Sequence, residues 1–331
     1  MVEAPDPHTV LVTGGAGYIG SHTCRLLAAG GFRPIAYDNL STGHDWAVKW
    51  GPLERGELAD GTRLREVMRK YRPAAVIHFA ASIAAGESVI EPLKYYRNNV
   101  AGSLALIEAM RDCAVPRIVF SSTAAVYGNP QTRLLSEAHP LAPINPYGAS
   151  KLMVETMLRD AAAAHGLIAN ILRYFNASGA DPDAGIGEDH EPETHLIPRV
   201  LFVALGKERE ASIFGADYPT PDGTCVRDYI HILDLAEAHL CALKRELPKG
   251  SISVHNLGTG HGYSVKQIME VARRITGHPI PVSIKPRRPG DPPELVADPA
   301  LALQELNWRP TRSSLERLIA DAWAWHKTRH G

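Results

Sequence analysis

Tyr147 and Lys151 stand four residues apart in the run 146–151 (PYGASK), a spacing that puts both side chains on one face of a helix. A free phenol has a pKa of ~10 and is a poor base at neutral pH. An adjacent ammonium favours the phenolate, and a positively charged ring bound beside the pair would add to the effect. A downward shift of ~3 units corresponds to ~4 kcal/mol, within reach of two positive charges in a dry site. Tyr147 so placed is a usable general base. Upstream, residues 121–123 (SST) close an apolar run and supply hydroxyls, among them that of Thr123. Taken alone, a Tyr and a Lys four apart commonly form a surface pair; their order after this hydroxyl-bearing strand end sets the present pair apart.

A second chemical signal lies near the start of the chain. Residues 14–20 (GGAGYIG) follow the β-branched run 9–13 (TVLVT) and precede the helical pattern 19–29. Glycines at such a strand–helix junction allow a tight turn and close backbone approach. A pyrophosphate can then sit on the free amides and positive dipole of the helix N-terminus. The alternative is a glycine-rich turn without a ligand. Asp38 ends the next predicted strand, about 20 residues on, where a carboxylate meets an adenosine ribose. A 2′-phosphate there would face like charge with no compensating Arg in residues 38–42 (DNLST), so NAD is favoured over NADP as cofactor. The bland reading of Asp38 is a turn or cap residue.

These residues need a scaffold that brings strand ends together. Apolar runs at 33–37, 74–79, 117–121 and 168–174 alternate with helical segments, which predicts an α/β fold with a doubly wound parallel Rossmann sheet. After Asn176 the composition turns to Gly, Asp, Pro and Glu through residues 178–198, while 228–243 returns to a strand-plus-helix pattern. The expected organisation is a nucleotide-binding domain of residues 1–176 plus about 228–256. A smaller C-terminal mixed α/β substrate-binding domain takes about 177–227 plus 257–331.

Composition narrows the function further. With 35 basic and 36 acidic residues and a net charge of −1, no overall field draws the chain to nucleic acid or an anionic membrane. No uncharged apolar run reaches ~18 residues, and the N-terminus lacks a basic-then-apolar pattern, so neither a span nor a signal peptide is expected. Cys24, Cys113, Cys225 and Cys241 are widely spaced, which fits reduced thiols and a cytoplasmic address. Fifteen histidines include no H-E-x-x-H; His190 and His195 bracket residues 191–194 (EPET), where Pro192 blocks a regular helix, so no metal site is expected.

The chain resembles the extended short-chain dehydrogenase/reductase family and, within it, the NAD-dependent UDP-glucose 4-epimerases, along nearly its whole length. The resemblance rests on residues 13–22 (TGGAGYIGSH), 37–40 (YDNL), 77–80 (IHFA), 86–89 (GESV), 95–100 (YYRNNV), 146–151 (PYGASK), 172–176 (LRYFN) and 224–231 (TCVRDYIH). It implies an isomerase that interconverts UDP-glucose and UDP-galactose by oxidation at C4 to a 4-keto intermediate, rotation and re-reduction. Tyr147 would be the base, Lys151 its electrostatic partner and Thr123 the hydrogen-bond partner of the reacting hydroxyl. The implied cofactor contacts are Gly14, Gly17, Tyr18, Ile19 and Gly20 at the glycine loop. Asp38, Asn39, Glu57 and Leu58 would take the adenosine side, with Phe79, Ala80, Asn98, Ser121, Tyr147, Lys151 and Tyr174 along the rest. The implied substrate contacts are Thr123, Tyr147, Phe175, Asn176, His195, Leu196, Arg227, Arg288, Asp291 and Leu295, with Arg227 gripping the diphosphate. A homodimer is implied as well.

Departures from the family pattern carry their own expectations. Residues 82–84 (SIA) lack the basic residue usual there, so one cofactor phosphate contact is lost. Glu57 stands for the usual Asp, and His195 for an Asn, which makes that contact pH-dependent. Leu295 replaces a Tyr that restricts room near the sugar C2, so N-acetylhexosamine substrates are a further expectation, and UDP-pentoses stay open. A 4,6-dehydratase would need an acid and a base directly after the hydroxyl residue; here Thr123 is followed by Ala124 and Ala125. A catalytically idle NAD-binding protein is disfavoured by the retained Thr123, Tyr147 and Lys151.

Overall fold

A computed structural model of the chain describes residues 4–288 and 291–331. Residues 1–3 and 289–290, which the expected domain spans include, lie outside the described residues. Seven strands form the larger sheet: β1 (Asp6–Thr13), β2 (Arg33–Asp38), β3 (Leu53–Arg55), β4 (Pro73–His78), β5 (Arg117–Thr123), β6 (Ile168–Tyr174) and β7 (Ile252–Leu257). Their order is β7-β6-β5-β4-β1-β2-β3, and every neighbouring pair is parallel. The chain winds outward from β1 to β3, then returns to β4 and winds the other way. Strand order thus reverses between β1 and β4, and ligands of such sheets bind beyond the C-terminal strand ends at that point.

The strands are apolar on both sides because helices cover both. On one face Leu11, Ile35, Val76, Phe120 and Ile171 pack on Leu64 and Val67 of α2 (Gly61–Tyr71), Leu106 of α3 (Gly102–Asp112) and Leu158 of α4 (Pro146–His165). On the other, Val10, Val12, Ile77 and Leu172 meet Leu27 of α1 (Tyr18–Ala29) and Leu235 and Ala238 of α6 (Ile232–Lys244). Each such fully buried aliphatic side chain contributes about 1.5–3 kcal/mol relative to exposure. A separate core joins α5 (Leu196–Ala204), α7 (Val265–Thr276) and α8 (Leu315–His330) through Leu201, Ile268 and Leu318.

A second, five-stranded sheet centres on the strand Val226–His231. It pairs with Asn176–Ser178 and Glu294–Ala297 in parallel and with Gly262–Ser264 antiparallel, and Leu134–Leu135 adds beyond Glu294–Ala297. The change of character after Asn176 therefore coincides with a change of sheet. Position 228, the expected point of return, falls inside a strand of the second sheet; only α6 and β7 rejoin the first. Sequence periodicity could mark the strand but not its partners, because pairing is set by residues more than 30 positions away.

Two buried polar assemblies hold the elements in register. Glu155 of α4 accepts from Arg173 Nε of β6 at 2.9 Å and from Ser122 Oγ of β5 at 2.6 Å, with Glu155 and Arg173 at most 1% exposed. Arg173 also donates to the Tyr127 hydroxyl at 3.1 Å. Removing one partner of such a pair costs about 3–5 kcal/mol, because the other charge is left buried and alone. Asp228 is the second hub: its carboxylate accepts from the amides of Thr259 (2.9 Å), Gly260 (3.1 Å) and Ala297 (3.2 Å) and from the Thr259 hydroxyl (2.8 Å). Burial nevertheless lifts its pKa to about 6 against those hydrogen bonds. Among the described residues no helix is long and apolar enough to cross a membrane.

Candidate active site

The glycine loop occupies the switch point. Gly14 has φ +73°, and a Cβ there would lie 2.7 Å from the Ala80 amide nitrogen just beyond β4. At Gly20 a Cβ would come 2.0 Å from the Gly14 carbonyl oxygen. Only glycine satisfies both positions. Gly17 caps α1 without a side-chain hydrogen bond, and no acidic residue stands in the first turn, so the leading amides of α1 face the crevice with no protein anion on them. Ile19 and the ring of Tyr18 are half-buried beside them, and the Tyr18 hydroxyl donates to the Gly179 carbonyl at 2.6 Å.

Asp38 lies at the C-terminal end of β2, 8% exposed. Its carboxylate accepts from the amides of Ala16 (3.0 Å) and Leu40 (2.8 Å), so it shapes the loop while standing at its mouth. Burial raises its pKa, and these hydrogen bonds oppose the rise. Asn39 donates to the exposed Glu57 carboxylate at 3.0 Å. Leu58, expected at the adenosine side, differs: its side chain is 6% exposed and packs in the core against α2 and α3, leaving only its backbone for a ligand. Phe79 and Ala80 follow β4, both half-buried, and both amides donate to the Thr13 carbonyl. Asn98 donates to Ser82 Oγ at 3.2 Å, and its neighbour Asn99 anchors the same segment to Ser150. A cradle that any Cβ would fill, an uncapped helix start and a carboxylate at the next strand end fit an NAD dinucleotide.

Across the switch point, α4 begins with Asn145, whose side chain accepts from the Gly148 amide at 2.9 Å, followed by Pro146. This cap places Tyr147 in the first turn and sets Lys151 and Glu155 below it on the same face. Lys151 is 3% exposed, and its Nζ donates to the Ser121 carbonyl at 2.8 Å. Burial lowers its pKa to about 7, with the Glu155 carboxylate pulling the other way. Burial raises the Tyr147 phenol, and a hydrogen bond from Thr123 lowers it. The sequence led to a phenol held near neutrality by a fixed lysine charge. The polypeptide by itself does the opposite, because desolvation acts on both groups. The Tyr174 hydroxyl is hydrogen-bonded to Ser121 Oγ, a second hydroxyl pair at the ends of β5 and β6.

Of the expected substrate residues, Asn176, Arg227 and Leu295 lie on strands of the second sheet. Phe175 and Leu295 pack against the small core of Ala124, Val126, Tyr127 and Leu135 that follows Thr123, and Asn176 donates to the Asp228 carbonyl at 2.9 Å. Arg227, 11% exposed at its side chain, is ion-paired to Asp291, while the guanidinium carbon of Arg288 sits 3.9 Å from the Phe214 ring centre. His195 precedes α5 as its N-cap residue, with Leu196 the first residue of the helix. Its Nδ1 lies 2.8 Å from Glu188 and 3.0 Å from Glu193, and the Glu188 carboxylate foremost holds its pKa well above the usual histidine value.

Three features escaped the sequence reading. Glu155 was readable, being one further helical turn from Lys151. Phe214, whose ring lies beside Arg288, and the hub Asp228 were not, since their meaning depends on strands far away in the chain.

The sequence model of the NAD dependent epimerase/dehydratase family matches residues 10–258. A UDP-glucose 4-epimerase of Rhizobium meliloti (strain 1021) is 48% identical over 323 residues, 98% of each chain. The crystal structure of UDP-glucose 4-epimerase from Brucella ovis in complex with NAD superposes with a TM-score of 0.93 at 51% identity, covering 96% of this chain and 97% of that one. The corresponding enzyme from Bifidobacterium longum, in complex with NAD+ and UDP, gives 0.91 at 40% identity, covering 97% and 98%. A glycine cradle at the switch point, a buried lysine beneath a tyrosine, and this similarity along the whole chain lead to one statement: the protein belongs to the NAD dependent epimerase/dehydratase family and, within it, to the UDP-glucose 4-epimerases.

Proposed function

We propose that this NAD-dependent isomerase interconverts UDP-glucose and UDP-galactose by oxidation and re-reduction at C4, with Tyr147 as base, Thr123 as hydroxyl partner and Lys151 as positioning cation. The observation that carries the reading is the meeting of these three groups, from one strand end and one helix, beside the glycine cradle. NAD, once bound, supplies the hydride acceptor and a positive charge beside the phenol. Lys151 gives Tyr147 a neighbour whose charge is set near neutral pH, and the Thr123 hydroxyl steadies the phenolate. Tyr147 takes the proton of the 4-hydroxyl and, after the keto sugar has turned about its link to the diphosphate, returns it to the C4 oxygen; inversion follows because the opposite face of C4 then meets the cofactor that would give the hydride back. Arg227 and Arg288 are the cations for the diphosphate, Asp291 fixes the guanidinium plane of Arg227, and the Phe214 ring offers a stacking surface for uracil. Ala124 and Ala125, directly after Thr123, carry no proton for elimination, which supports C4 inversion over 4,6-dehydration.

A homodimer and a cytoplasmic address belong to the same proposal. Leu104 of α3, 46% exposed, lines a groove between α3 and α4 with Ile107, Met157, Ala161 and Ala164, rimmed by Glu108, Arg111, Asp160 and His165; Met153 of α4 is a further apolar side chain 45% exposed. An apolar face of this kind suits a second copy. The four cysteines are unpaired, as a reducing compartment would leave them. Sedimentation should give twice the 36.0 kDa chain mass, and a monomer at micromolar concentration would refute the dimer.

Tyr147→Phe should keep bound NAD while losing roughly 10²–10⁴-fold in kcat for UDP-galactose; unchanged turnover would remove Tyr147 from the chemistry. Leu295, packed with Phe175 against the small core of Ala124, Val126, Tyr127 and Leu135, is a shorter side chain than the tyrosine usual there. UDP-N-acetylglucosamine should therefore be turned over, and Leu295→Tyr should depress that activity more than activity on UDP-galactose. If the unsubstituted enzyme shows no epimerisation of UDP-N-acetylglucosamine by proton NMR, this extension falls.

A further inference from the structure

Between the short strand Ile186–Gly187 and the start of α5, the chain carries Glu188, His190, Glu193 and His195. Pro192 keeps the segment from forming a helix, and the resulting loop turns two carboxylates and two imidazoles toward one point. One ligand atom from each lies within 4.8 Å of all the others. His195 Nδ1 is 2.8 Å from Glu188 Oε1 and 3.0 Å from Glu193 Oε1; His190 Nδ1 is 3.4 Å from Glu188 Oε1 and 3.5 Å from Glu193 Oε2.

Those separations have a geometric meaning. Four ligands at about 2.0–2.2 Å from a tetrahedral centre lie about 3.4 Å from one another. The contacts of His190 match that edge, and those of His195 are short of it by a few tenths of an ångström. The charges point the same way. The side chains of Glu188 and Glu193 are only 5% and 4% exposed, so two carboxylates share a small dry volume and require two positive charges. A divalent cation supplies both at once and leaves the imidazoles neutral. A quartet with two imidazolium ions would also balance, but it should close into hydrogen bonds throughout. Instead, His190 Nδ1 and Glu193 Oε2 are buried without a hydrogen-bond partner.

The surroundings resemble a built site. Glu193 Oε1 is oriented by the amides of Thr194 (2.7 Å) and His195 (2.8 Å), outer contacts of the kind that fix a ligating carboxylate. The Tyr18 ring meets His190 edge-on, and His195, 45% exposed at its side chain, opens the cluster to solvent. Among the described residues this is the only such group.

We propose that Glu188, His190, Glu193 and His195 form a four-coordinate site for a divalent d-block cation of the zinc class. A filled site would tie the loop to the first turn of α5 and so brace Leu196 and the Tyr18 end of the glycine loop against each other. The set of two imidazoles and two carboxylates suits zinc and cobalt and is poor for calcium, which takes six to eight oxygens.

The test uses the whole protein, stripped with a chelator and titrated separately with Zn²⁺ by calorimetry and with Co²⁺ by visible absorption. The proposal expects one equivalent bound, intense visible bands of tetrahedral Co²⁺ that Zn²⁺ bleaches, and a higher Tm with Zn²⁺. His190→Ala and Glu188→Gln should each weaken binding roughly tenfold or more. Because a variant could fail to fold, the unsubstituted protein decides alone. No saturable single-site binding, leaving an ion-pair quartet only, would overturn the proposal. So would the weak bands of six-coordinate Co²⁺, or full binding retained in both folded variants.

Discussion

A lysine ammonium buried beneath a tyrosine is the constraint around which this enzyme is arranged. Lys151 has one backbone acceptor, the Ser121 carbonyl at 2.8 Å, and the carboxylate of Glu155 one helical turn below. Removing a charge from water at 3% exposure is costly, and the pKa near 7 is the measure of that cost. The sheet and α4 must hold Ser121, Thr123, Tyr147 and Lys151 in register or the charge would go unpaired. Glu155 performs that task twice: it faces Lys151 along the helix and clamps β5 and β6 through Ser122 and Arg173. The base and the scaffold thus rest on the same buried carboxylate.

The remaining architecture separates a fixed grip from a free one. One end of the crevice is backbone: glycines, helix amides and strand ends that suit a dinucleotide. The other end is cationic: Arg227 on the second sheet is held by Asp291, and its strand is tied by Asp228 to the loop at Thr259 and the strand of Leu295. Between them Phe175 and Leu295 pack against the small core that includes Ala124, and the proposed sugar site beside Thr123 would meet apolar groups without strong directional bonds. A sugar that must present both faces to one hydride carrier needs such a wall.

Much of the site was legible in the sequence because its key spacings are local. The glycine run, the four-residue step from Tyr147 to Lys151, and the strand 168–174 are each set within a few residues of chain. What could not be read arises from contacts across 30 residues or more. The pairing of Val226–His231 with the second sheet, the bonds converging on Asp228, and the packing of Phe214 under Arg288 leave no periodic trace. The segment 188–195 shows the limit most clearly. Judged by helical ligand spacing it holds no metal motif, yet a non-helical loop brings its four donors together. The sign of the Tyr147 shift was also out of reach, because spacing reports who is adjacent and not how much water is excluded.

The central claim is a redox-neutral inversion at C4 in which the hydrogen leaving the sugar is the one that returns. The most direct test follows UDP-galactose carrying deuterium at C4 in ordinary water, without added NAD, and reads C4 of the UDP-glucose formed by NMR and mass spectrometry. The account predicts conversion with the deuterium kept at C4. Product bearing protium from solvent at C4 would contradict it, since the hydrogen would then have passed through an exchangeable base.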